Sequence, residues 1–445
     1  MTERVTVIGG GLAGSECALQ LARRGVSVVL VEQRPVHASP AHTTDGLAEL
    51  VCSNSLKSTK PDTAAGLLKL ELEDMGCVLL ELAKECSVPA GGALAVDREA
   101  FSAAVTECVK AEPLIELVRE EATELPQGLA VIAAGPLCSD ALFEAISAAV
   151  GSERMSFYDA AAPIVDAETI DMSIAFKQSR YEEGIGDYIN CPMNRDEYDK
   201  FMDALLSAKR VIMRDFESKD LFCACQPIEE VGRTGHDALR FGALKPVGLT
   251  DPRTGRRPWA VVQLRSENAA CTAYNLVGFQ TNLTWGEQDR VFRMIPGLAQ
   301  AEFLRHGVMH RNSFVDSPHA LDATFGIPNT RVRLAGQITG TEGYVEAIAS
   351  GLYAALNTWA ELSGVSVATL PATTALGSLV AYATDPNTTN YQPMHVNFGL
   401  MPPLEDTPRS RNERRSAMAA RARKDSQDWV ASRPDLFCDA VRKEA

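Results

Sequence analysis

The feature that most constrains the fold is the glycine-rich segment at residues 5–14, which reads VTVIGGGLAG. It predicts a short buried strand, a tight turn and then a helix. Gly9, Gly11 and Gly14 fill the frame G-x-G-x-x-G, in which the first glycine permits the turn, the second admits a pyrophosphate close to the backbone, and the third lets helix and strand pack closely. Since the N-terminus of a helix attracts phosphate, the segment predicts a dinucleotide site. The predicted site residues in this segment are Gly9, Gly10, Gly11, Leu12, Ala13 and Gly14.

A second predicted strand, over residues 26–31, ends in Glu32. An acid at this distance from the glycine turn suits the hydroxyl pair of a ribose. The glycines alone would also fit a plain α/β turn. Strand, turn, helix, strand and terminal acid together favour dinucleotide binding.

Length and composition narrow the class of protein. A chain of 445 residues can hold two domains, and no apolar run approaches the length of a bilayer span. The N-terminus has no basic region ahead of an apolar one, so the sequence predicts no export. The chain has eleven cysteines without regular spacing, which argues for a reducing cytoplasm over a disulfide framework. There is no CxxC pair and histidines are scattered, so no metal site is predicted.

The charge of the chain is unevenly distributed. A formal net charge of -15 counts against a polyanionic partner. Residues 409–424, however, contain a single acid, Glu413, among seven cations. The cations are Arg409, Arg411, Arg414, Arg415, Arg421, Arg423 and Lys424. This stretch is either a solvated amphipathic helix or a surface for phosphate groups.

The order of elements predicts an α/β fold in two parts. Hydrophobic periodicity predicts one partly buried helix over 64–86 and another over 97–110. Residues 129–135 predict a buried strand, and 332–335 another, followed by a glycine-rich turn and a long apolar helix of the kind that closes a flavin site in many FAD folds. We therefore predict a glutathione-reductase-type FAD-binding Rossmann domain from residues 1–154 and 326–445, with an inserted α+β domain at 155–325.

Several side chains are candidates for chemistry. Cys52 lies among small polar residues after an apolar stretch, and Cys225 lies just before Pro227. Either thiol is also compatible with an inert place in the core. Arg240 and Lys245 would supply positive charge to Cys225.

Two further groups of polar residues each have two possible roles. His310 and Arg311, beside Asn312, are either ligand contacts or structural residues. Glu342 and Tyr344 would either hydrogen-bond a flavin edge or cap the helix that follows.

Blocks along nearly the whole chain resemble one family, the folate- and FAD-dependent tRNA (uracil-5-)-methyltransferases, the smaller relatives of the glucose-inhibited-division flavoproteins. The resemblance rests on VIGGGLAGSE, HTTDGLAELVCSNSLKS, VIAAGPL, CQPIEE, RFGALKPVGLTDPRTGRRPWAVVQLR, YNLVGFQT, IPGLAQAEFLRHGVMHRNSF, GQITGTEGYVEA and VNFGLMPPLE. Several blocks in one order are far more specific than a dinucleotide fingerprint.

The resemblance implies a defined chemistry. A thiolate adds to C6 of uracil, and the resulting enolate attacks a one-carbon unit through C5. The unit comes from 5,10-methylenetetrahydrofolate, reduced FAD passes it on and supplies electrons, and NADPH or NADH regenerates the flavin. By motif match Cys225 is the better candidate for the nucleophile and Cys52 lies near the flavin. Which thiol has which role stays open.

The resemblance also implies binding residues. The fingerprint glycines and Glu32 hold the ADP half of FAD. The isoalloxazine lies along a second set, which comprises Asn54, Ser55, Gly336, Gln337, Gly340, Gly343 and Tyr344. Folate stacks on the open face of the flavin, against the blocks YNLVGFQTNL and MHRNSF. Where some members have a histidine to stack the pterin, this chain has Asn282. A second departure, Ala224 in place of glycine before Cys225, is conservative.

The RNA target has two alternatives, uridine 54 in the T-loop of tRNA and a uridine of 23S ribosomal RNA. A base in a folded loop must be splayed out to reach a flavin, so both alternatives need contacts to the RNA backbone. We expect phosphate contacts from residues 409–424 and from the cations within 240–257. The predicted substrate-binding residues are Arg240, Lys245, Asn282, His310 and Arg311.

Two other functions compete with RNA methylation. One is a flavin thiol oxidoreductase that uses Cys223 and Cys225, although the C-x-C spacing disfavours it. The other is an RNA-binding module that keeps FAD only for structure. The sequence does not indicate the oligomeric state.

Overall fold

A computed structural model describes residues 3–39, 41–151, 155–182, 184, 186–212, 226–389 and 391–437 of the protein. Of Phe157 and His310 it describes the backbone alone. Within these ranges no helix is long and apolar enough to cross a membrane.

The strands that the described residues form fall into four sheets. Their bounds are β1 Val5–Ile8, β2 Val28–Glu32, β3 Ser55–Ser58, β4 Ser87–Val88, β5 Ala93–Val96, β6 Ile115–Arg119, β7 Ala130–Ile132, β8 Met155–Ala160, β9 Ile164–Asp166, β10 Phe176–Lys177, β11 Ile189–Met193, β12 Ala260–Ser266, β13 Ala273–Leu276, β14 Phe303–Arg305, β15 Met309–Phe314 and β16 Val332–Leu334.

The helices lie between and over these strands. Their bounds are α1 Leu12–Arg23, α2 Ala64–Asp74, α3 Val78–Glu85, α4 Arg98–Ala111, α5 Asp140–Val150, α6 Arg195–Ser207, α7 Ile228–Arg233, α8 Ala238–Phe241, α9 Trp285–Phe292, α10 Ser317–Ala320, α11 Tyr344–Ser363, α12 Ala375–Thr384 and α13 Arg411–Ser432, with short 3-10 turns at Ala167–Thr169 and Gln337–Thr339.

A parallel five-stranded sheet carries the glycine turn. Its order is β16-β7-β1-β2-β6, so the chain returns from residue 332 to pair with β7. α11 packs closely on α1, because a Cβ added at Gly351 would lie 2.1 Å from the carbonyl oxygen of Ala13. The predicted α/β class is confirmed.

The middle of the chain builds a second sheet. Its six strands run in the order β10-β11-β12-β13-β9-β14, and the paired strands are antiparallel. Helices α6 and α9 supply Phe201 and Phe292 to its core, which also contains Phe279. A sheet of this kind beside helices is the α+β texture that the sequence predicts for this region.

A buried polar link joins the six-stranded sheet to the three-stranded sheet β3-β5-β4. The amide of Asn54 donates to the carbonyl oxygens of Val96 (3.0 Å) and Ser266 (2.9 Å), and its oxygen accepts from Nε of Arg265 at 2.8 Å. Arg98 pairs with Glu267 in the same region. Side chains of the six-stranded sheet are therefore held against the segment that follows Cys52.

The prediction of one helix over 64–86 is wrong. The chain forms α2 and α3, separated by Gly76 with a positive φ of 74°. The buried carboxylate of Glu16, on α1, accepts from the backbone amides of Val78 (3.1 Å) and Leu79 (2.8 Å) at the start of α3. A partner distant in sequence thus caps a new helix where the periodicity continues unbroken.

Candidate active site

The glycine turn at the end of β1 has the geometry that a pyrophosphate requires. Gly9 has a φ of 99°, and a Cβ there would lie 2.5 Å from the carbonyl oxygen of Ala133. A Cβ at Gly14 would lie 1.8 Å from the carbonyl oxygen of Gly9, whereas a Cβ at Gly11 meets no protein atom within 4 Å. The first and third glycines are needed by the protein itself, while the second leaves its backbone open to a ligand.

Glu32 lies beside the glycine turn and binds it. Its carboxylate accepts from the amide of Gly10 at 2.8 Å and from the amide and Nε of Arg34 at 3.0 and 2.9 Å. Burial by itself would raise the pKa of Glu32, but the hydrogen bonds and charge of Arg34 outweigh it and hold the pKa below its usual value. An ionised carboxylate with free lone pairs suits a ribose hydroxyl pair, so the residues fit the ADP half of a dinucleotide.

A cleft begins at this turn and is also lined by Asp159 of β8 and Asn312 of β15, the two strands of a separate sheet. The predicted residues that line it are Gly9, Gly11, Leu12, Ala13, Glu32, Cys52, Ser55, Gly336, Gln337, Gly343 and Tyr344. Gly10 and Gly14 lie behind this lining, where Gly10 binds Glu32 and Gly14 packs on Gly9. The structure thus brings together three segments that are widely separated in sequence.

Two residues expected along the isoalloxazine lie elsewhere. Asn54 is fully buried in the link to Arg265 and does not line the cleft. Gly340 faces Tyr391, because a Cβ there would lie 2.3 Å from the tyrosine oxygen. Each of the two residues takes part in the packing around the site, and its contact with the ring stays a prediction.

Cys52 lies on the wall of the cleft and is held by its backbone and its sulfur. Its amide donates to the Tyr344 hydroxyl at 2.7 Å, and its thiol lies 3.3 Å from Oδ2 of Asp159. Burial, and then the charge of Asp159, raises the pKa of the Cys52 thiol well above its usual value, which the charge of Arg305 only partly opposes. Cys52 is therefore a protonated thiol that points at a carboxylate.

Asp159 is the centre of a polar cluster that was not predicted from the sequence. Besides Cys52, the amide of Asn312 donates to Asp159 Oδ2 at 3.5 Å. Glu342 lines the same cleft, and burial, followed by the charge of Asp159, raises its pKa to about 8. Two of these residues had been noted in the sequence: Asn312 beside His310 and Arg311, and Glu342 as either a flavin contact or a helix cap.

Asn282 is buried and cannot stack a pterin. Its side chain exchanges two 3.0 Å hydrogen bonds with the backbone of Ile212. Its backbone N–H donates to the carboxylate of Glu229 at 2.7 Å. Burial raises the pKa of Glu229 to about 7. Asn282 thus holds the described segment before residue 213 in place, and its contact with the substrate stays a prediction.

Cys223 and Cys225 lie outside the described residues. The described residues on either side of them attach to one segment: Val211 donates to the carbonyl oxygen of Asn282 at 2.7 Å, and Ile228 donates to that of Gln280 at 2.7 Å. Gln280 lines the cleft. The flanks of the predicted nucleophile are thus anchored beside the candidate flavin site.

Arg240 lies at the other end of the six-stranded sheet, in a second pocket. Its guanidinium lies 3.5 Å from the ring centroid of Trp259, and Arg195 approaches the same ring at 5.3 Å. The pocket lining contains five arginines and two acids, which are Arg195, Arg240, Arg253, Arg256, Arg257, Glu197 and Asp251. Lys245 is half-buried and is not among the lining residues of either pocket.

The other predicted contacts are Arg311, His310 and the cations of residues 409–424. Arg311 on β15 is exposed and donates to the Ser156 hydroxyl at 2.7 Å, and the side chain of His310 lies outside the described part of the structure. On α13 the guanidinium of Arg421 binds the carbonyl oxygens of Pro402 and Pro403. In the described ranges no group of three or more His, Cys, Asp or Glu could hold a metal ion.

The sequence of this chain is similar to a known protein family and to named relatives. The model of the family "Glucose inhibited division protein A" matches residues 4–366. A Geobacter sulfurreducens protein named methylenetetrahydrofolate–tRNA-(uracil-5-)-methyltransferase TrmFO is 54% identical over 435 residues, covering 97% of this chain and all of that protein. A Moorella thermoacetica protein of the same name is 53% identical, covering 95% of this chain and 97% of that protein.

Solved structures show the same fold. Aquifex aeolicus GidA aligns with a TM-score of 0.71 in one crystal form and 0.69 in another, in each case at 15% identity over 99% of this chain. The alignments cover 78% and 76% of those chains. At this identity the likeness shows the fold alone, an FAD-binding Rossmann-type architecture.

Proposed function

The chain belongs to the glucose inhibited division protein A family and, within it, to the methylenetetrahydrofolate–tRNA-(uracil-5-)-methyltransferases, and we propose accordingly that it methylates C5 of a uridine in tRNA. The carbon donor is 5,10-methylenetetrahydrofolate and the flavin is FAD. The observation that carries the proposal is the single cleft that joins the open glycine turn to the Cys52–Asp159 pair.

Each part of the cleft has a task in this reaction. Gly11 and Glu32 bind the dinucleotide, and the turn at Gly336 and Gly343 lies along its ring system. When bound, FAD supplies electrons and conveys the one-carbon unit to the uracil. Cys52 presents its thiol on the cleft wall, 3.3 Å from Asp159 Oδ2, which would accept its proton.

We assign the attack on uracil to Cys225. A thiolate that adds to C6 makes C5 nucleophilic, so that C5 can form a bond to the one-carbon unit. Loss of the C5 proton, reduction of the methylene carbon by two electrons that the bound flavin would supply, and release of the thiolate would then leave a methyl group on the restored ring. The anchoring of Ile228 beside Gln280 supports this role. The finer assignments are also proposals: uridine 54 as the target, NADPH or NADH as reductant, and the cytoplasm as the location, where folate, nicotinamide and tRNA meet.

The two hydrophobic cores support a proposed domain division. We propose an FAD-binding domain of residues 1–154 and 326–445, with the insertion 155–325 on the RNA and folate side. One core surrounds the parallel sheet and the other the antiparallel sheet. Phe314 and Val315 pack in the first core, so the C-terminal part of the insertion contacts the proposed flavin domain.

The pocket at Trp259 is the best candidate for RNA phosphate contacts. The protein carries a formal charge of -15, yet this lining has three more arginines than acids. Arg253 is engaged by Asp251, whereas Arg256 and Arg257 are exposed and form no ion pair with any described residue. Unpaired guanidinium groups on an acidic protein are suited to a backbone phosphate.

Removal of Arg256 and Arg257 should weaken tRNA binding about fivefold and make it less sensitive to salt. Each lost phosphate contact lowers the slope of log affinity against log salt by roughly 0.7–0.9, so the double alanine variant should lose about 1.4–1.8 in slope. Fluorescence titrations at several salt concentrations measure this. The matched control removes Lys84 and Lys110, which are paired with acids on the flavin domain. An unchanged slope would rule out the pocket as a phosphate contact.

The direct test of function is product formation by the purified holoenzyme. Unmodified tRNA, 5,10-methylenetetrahydrofolate carrying a 13C label at the methylene carbon, and NADPH should yield 5-methyluridine that contains the label. Omission of folate or reductant should abolish it, and nuclease mapping should locate the product at position 54. Nucleoside mass spectrometry reads both results. Absence of labelled product with tRNA, or product only with 23S ribosomal RNA, would contradict the proposal.

A further inference from the structure

Two buried polar atoms in the cleft have no hydrogen-bond partner in the described structure: Oδ1 of Asn312 and Oε2 of Glu342. The two residues are 1% and 4% exposed, and both line the cleft. Buried polar atoms are nearly always satisfied, because an unmade hydrogen bond in the interior is costly. The pair therefore indicates atoms that are satisfied by a bound molecule.

The neighbours of each atom fix what it offers. Asn312 directs its amide nitrogen at Asp159 Oδ2, which leaves Oδ1 as an acceptor. Glu342 uses Oε1 to accept from Nε2 of Gln337, which leaves Oε2 without a partner among the described residues. One side chain thus offers an acceptor and the other a carboxyl oxygen.

The protonation of Glu342 follows from its surroundings. The charged groups that face it are Asp159 from β8, Lys57 from β3 and Glu346 from α11. Burial is the largest influence and Asp159 the next, and together they raise the pKa of Glu342 to about 8, although the hydrogen bond from Gln337 and the charge of Lys57 lower it. Near pH 7 the carboxyl is therefore mostly protonated, and Oε2 can donate.

We propose that Glu342 and Asn312 bind the lactam edge of a fused pyrimidinone ring, with Glu342 donating to the ring carbonyl and Asn312 accepting from the adjacent N–H. This inference rests on the proposed function, which brings two such rings into the cleft, the pterin of folate and the isoalloxazine of FAD. The two share the –CO–NH– edge. Separate binding measurements distinguish them.

Glu71 shows that burial of a glutamate here need not involve a ligand. It is fully buried and burial raises its pKa to about 8, as for Glu342. Its two oxygens, however, accept from the backbone amides of Ala375 (2.7 Å) and Leu376 (3.0 Å) at the start of α12. The fold accounts for Glu71 and does not account for the free oxygen of Glu342.

Binding measurements on Glu342→Ala, Glu342→Gln and Asn312→Ala test the proposal without any turnover. FAD affinity is measured by titration of the deflavinated protein, and folate affinity by the change in flavin absorbance of the holoenzyme with tetrahydrofolate. Each alanine variant should bind one of the two rings about fivefold more weakly, which is the effect of one lost hydrogen bond. Glu342→Gln, which keeps a neutral donor, should stay within about twofold of wild type. Loss in the FAD arm identifies the isoalloxazine, and loss in the folate arm with FAD retained identifies the pterin.

The control is Glu71→Gln, which should lower the melting temperature and leave both ring affinities unchanged. Wild-type affinity for the identified ring should also fall as the pH rises through 8, while that of Glu342→Gln should not. Unchanged affinities in both alanine variants would overturn the proposal, and so would a glutamine variant as weak as the alanine. A wild-type protein that binds neither ring would instead contradict the proposed function.

Discussion

Gly14→Ala is expected to cost the protein its FAD and about 3 kcal/mol of stability. The new Cβ would lie 1.8 Å from the carbonyl oxygen of Gly9, a backbone atom that cannot turn aside. α1 would have to move away from β1, but Gly351 of α11 holds it from the other side, against the backbone of Ala13. The flavin content of the purified protein and the melting temperature of the apoprotein measure the two effects.

Gly11→Ala separates ligand binding from folding at the same turn. No protein atom lies within 4 Å of a Cβ at Gly11, whose φ of -76° alanine readily adopts. Apoprotein stability should change by less than about 1 kcal/mol, the usual range for a helix N-cap. FAD affinity should nevertheless fall at least about tenfold, because the methyl group fills the space meant for the pyrophosphate. Normal FAD binding by this variant would show that the phosphates lie elsewhere.

The glycine turn was predictable because its causes are local. Gly9, Gly14 and Glu32 act within one strand–helix–strand unit, so their spacing in the sequence already encodes the contact. The break at Gly76 was not predictable in the same way. Apolar periodicity runs through it, and the carboxylate that caps α3 comes from Glu16, about sixty positions earlier.

The cleft beyond the glycine turn is formed by contacts that the spacing of residues in the sequence does not predict. Asn54 lies two positions from Cys52, yet its side chain binds Arg265 of the six-stranded sheet. Asp159, Asn312 and Glu342 come from β8, β15 and the turn before α11, and they meet only in the folded protein. Family resemblance located the blocks, while the direction of each side chain needed the structure.

Asp159→Asn is expected to make Cys52 at least about tenfold more reactive toward iodoacetamide near pH 8. The carboxylate repels a thiolate and accepts the thiol proton, so it holds the pKa of Cys52 up in addition to the effect of burial. An amide removes the repulsion and can donate to the sulfur. One unit of lowered pKa gives tenfold more thiolate at any pH below the pKa, and the thiolate is the form that reacts.

Peptide mass spectrometry after brief labelling between pH 7 and 9 reads the Cys52 rate directly. Cys271, whose thiol contacts the carbonyl oxygen of Ala269, is the reference within each digest and should react equally in both proteins. Slower labelling of Cys52 in the variant would mean that Asp159 activates the thiol as a base in the resting protein. The expected acceleration would mean the reverse: the carboxylate keeps the sulfur protonated until an electrophile is bound, and then takes its proton as the carbon–sulfur bond forms.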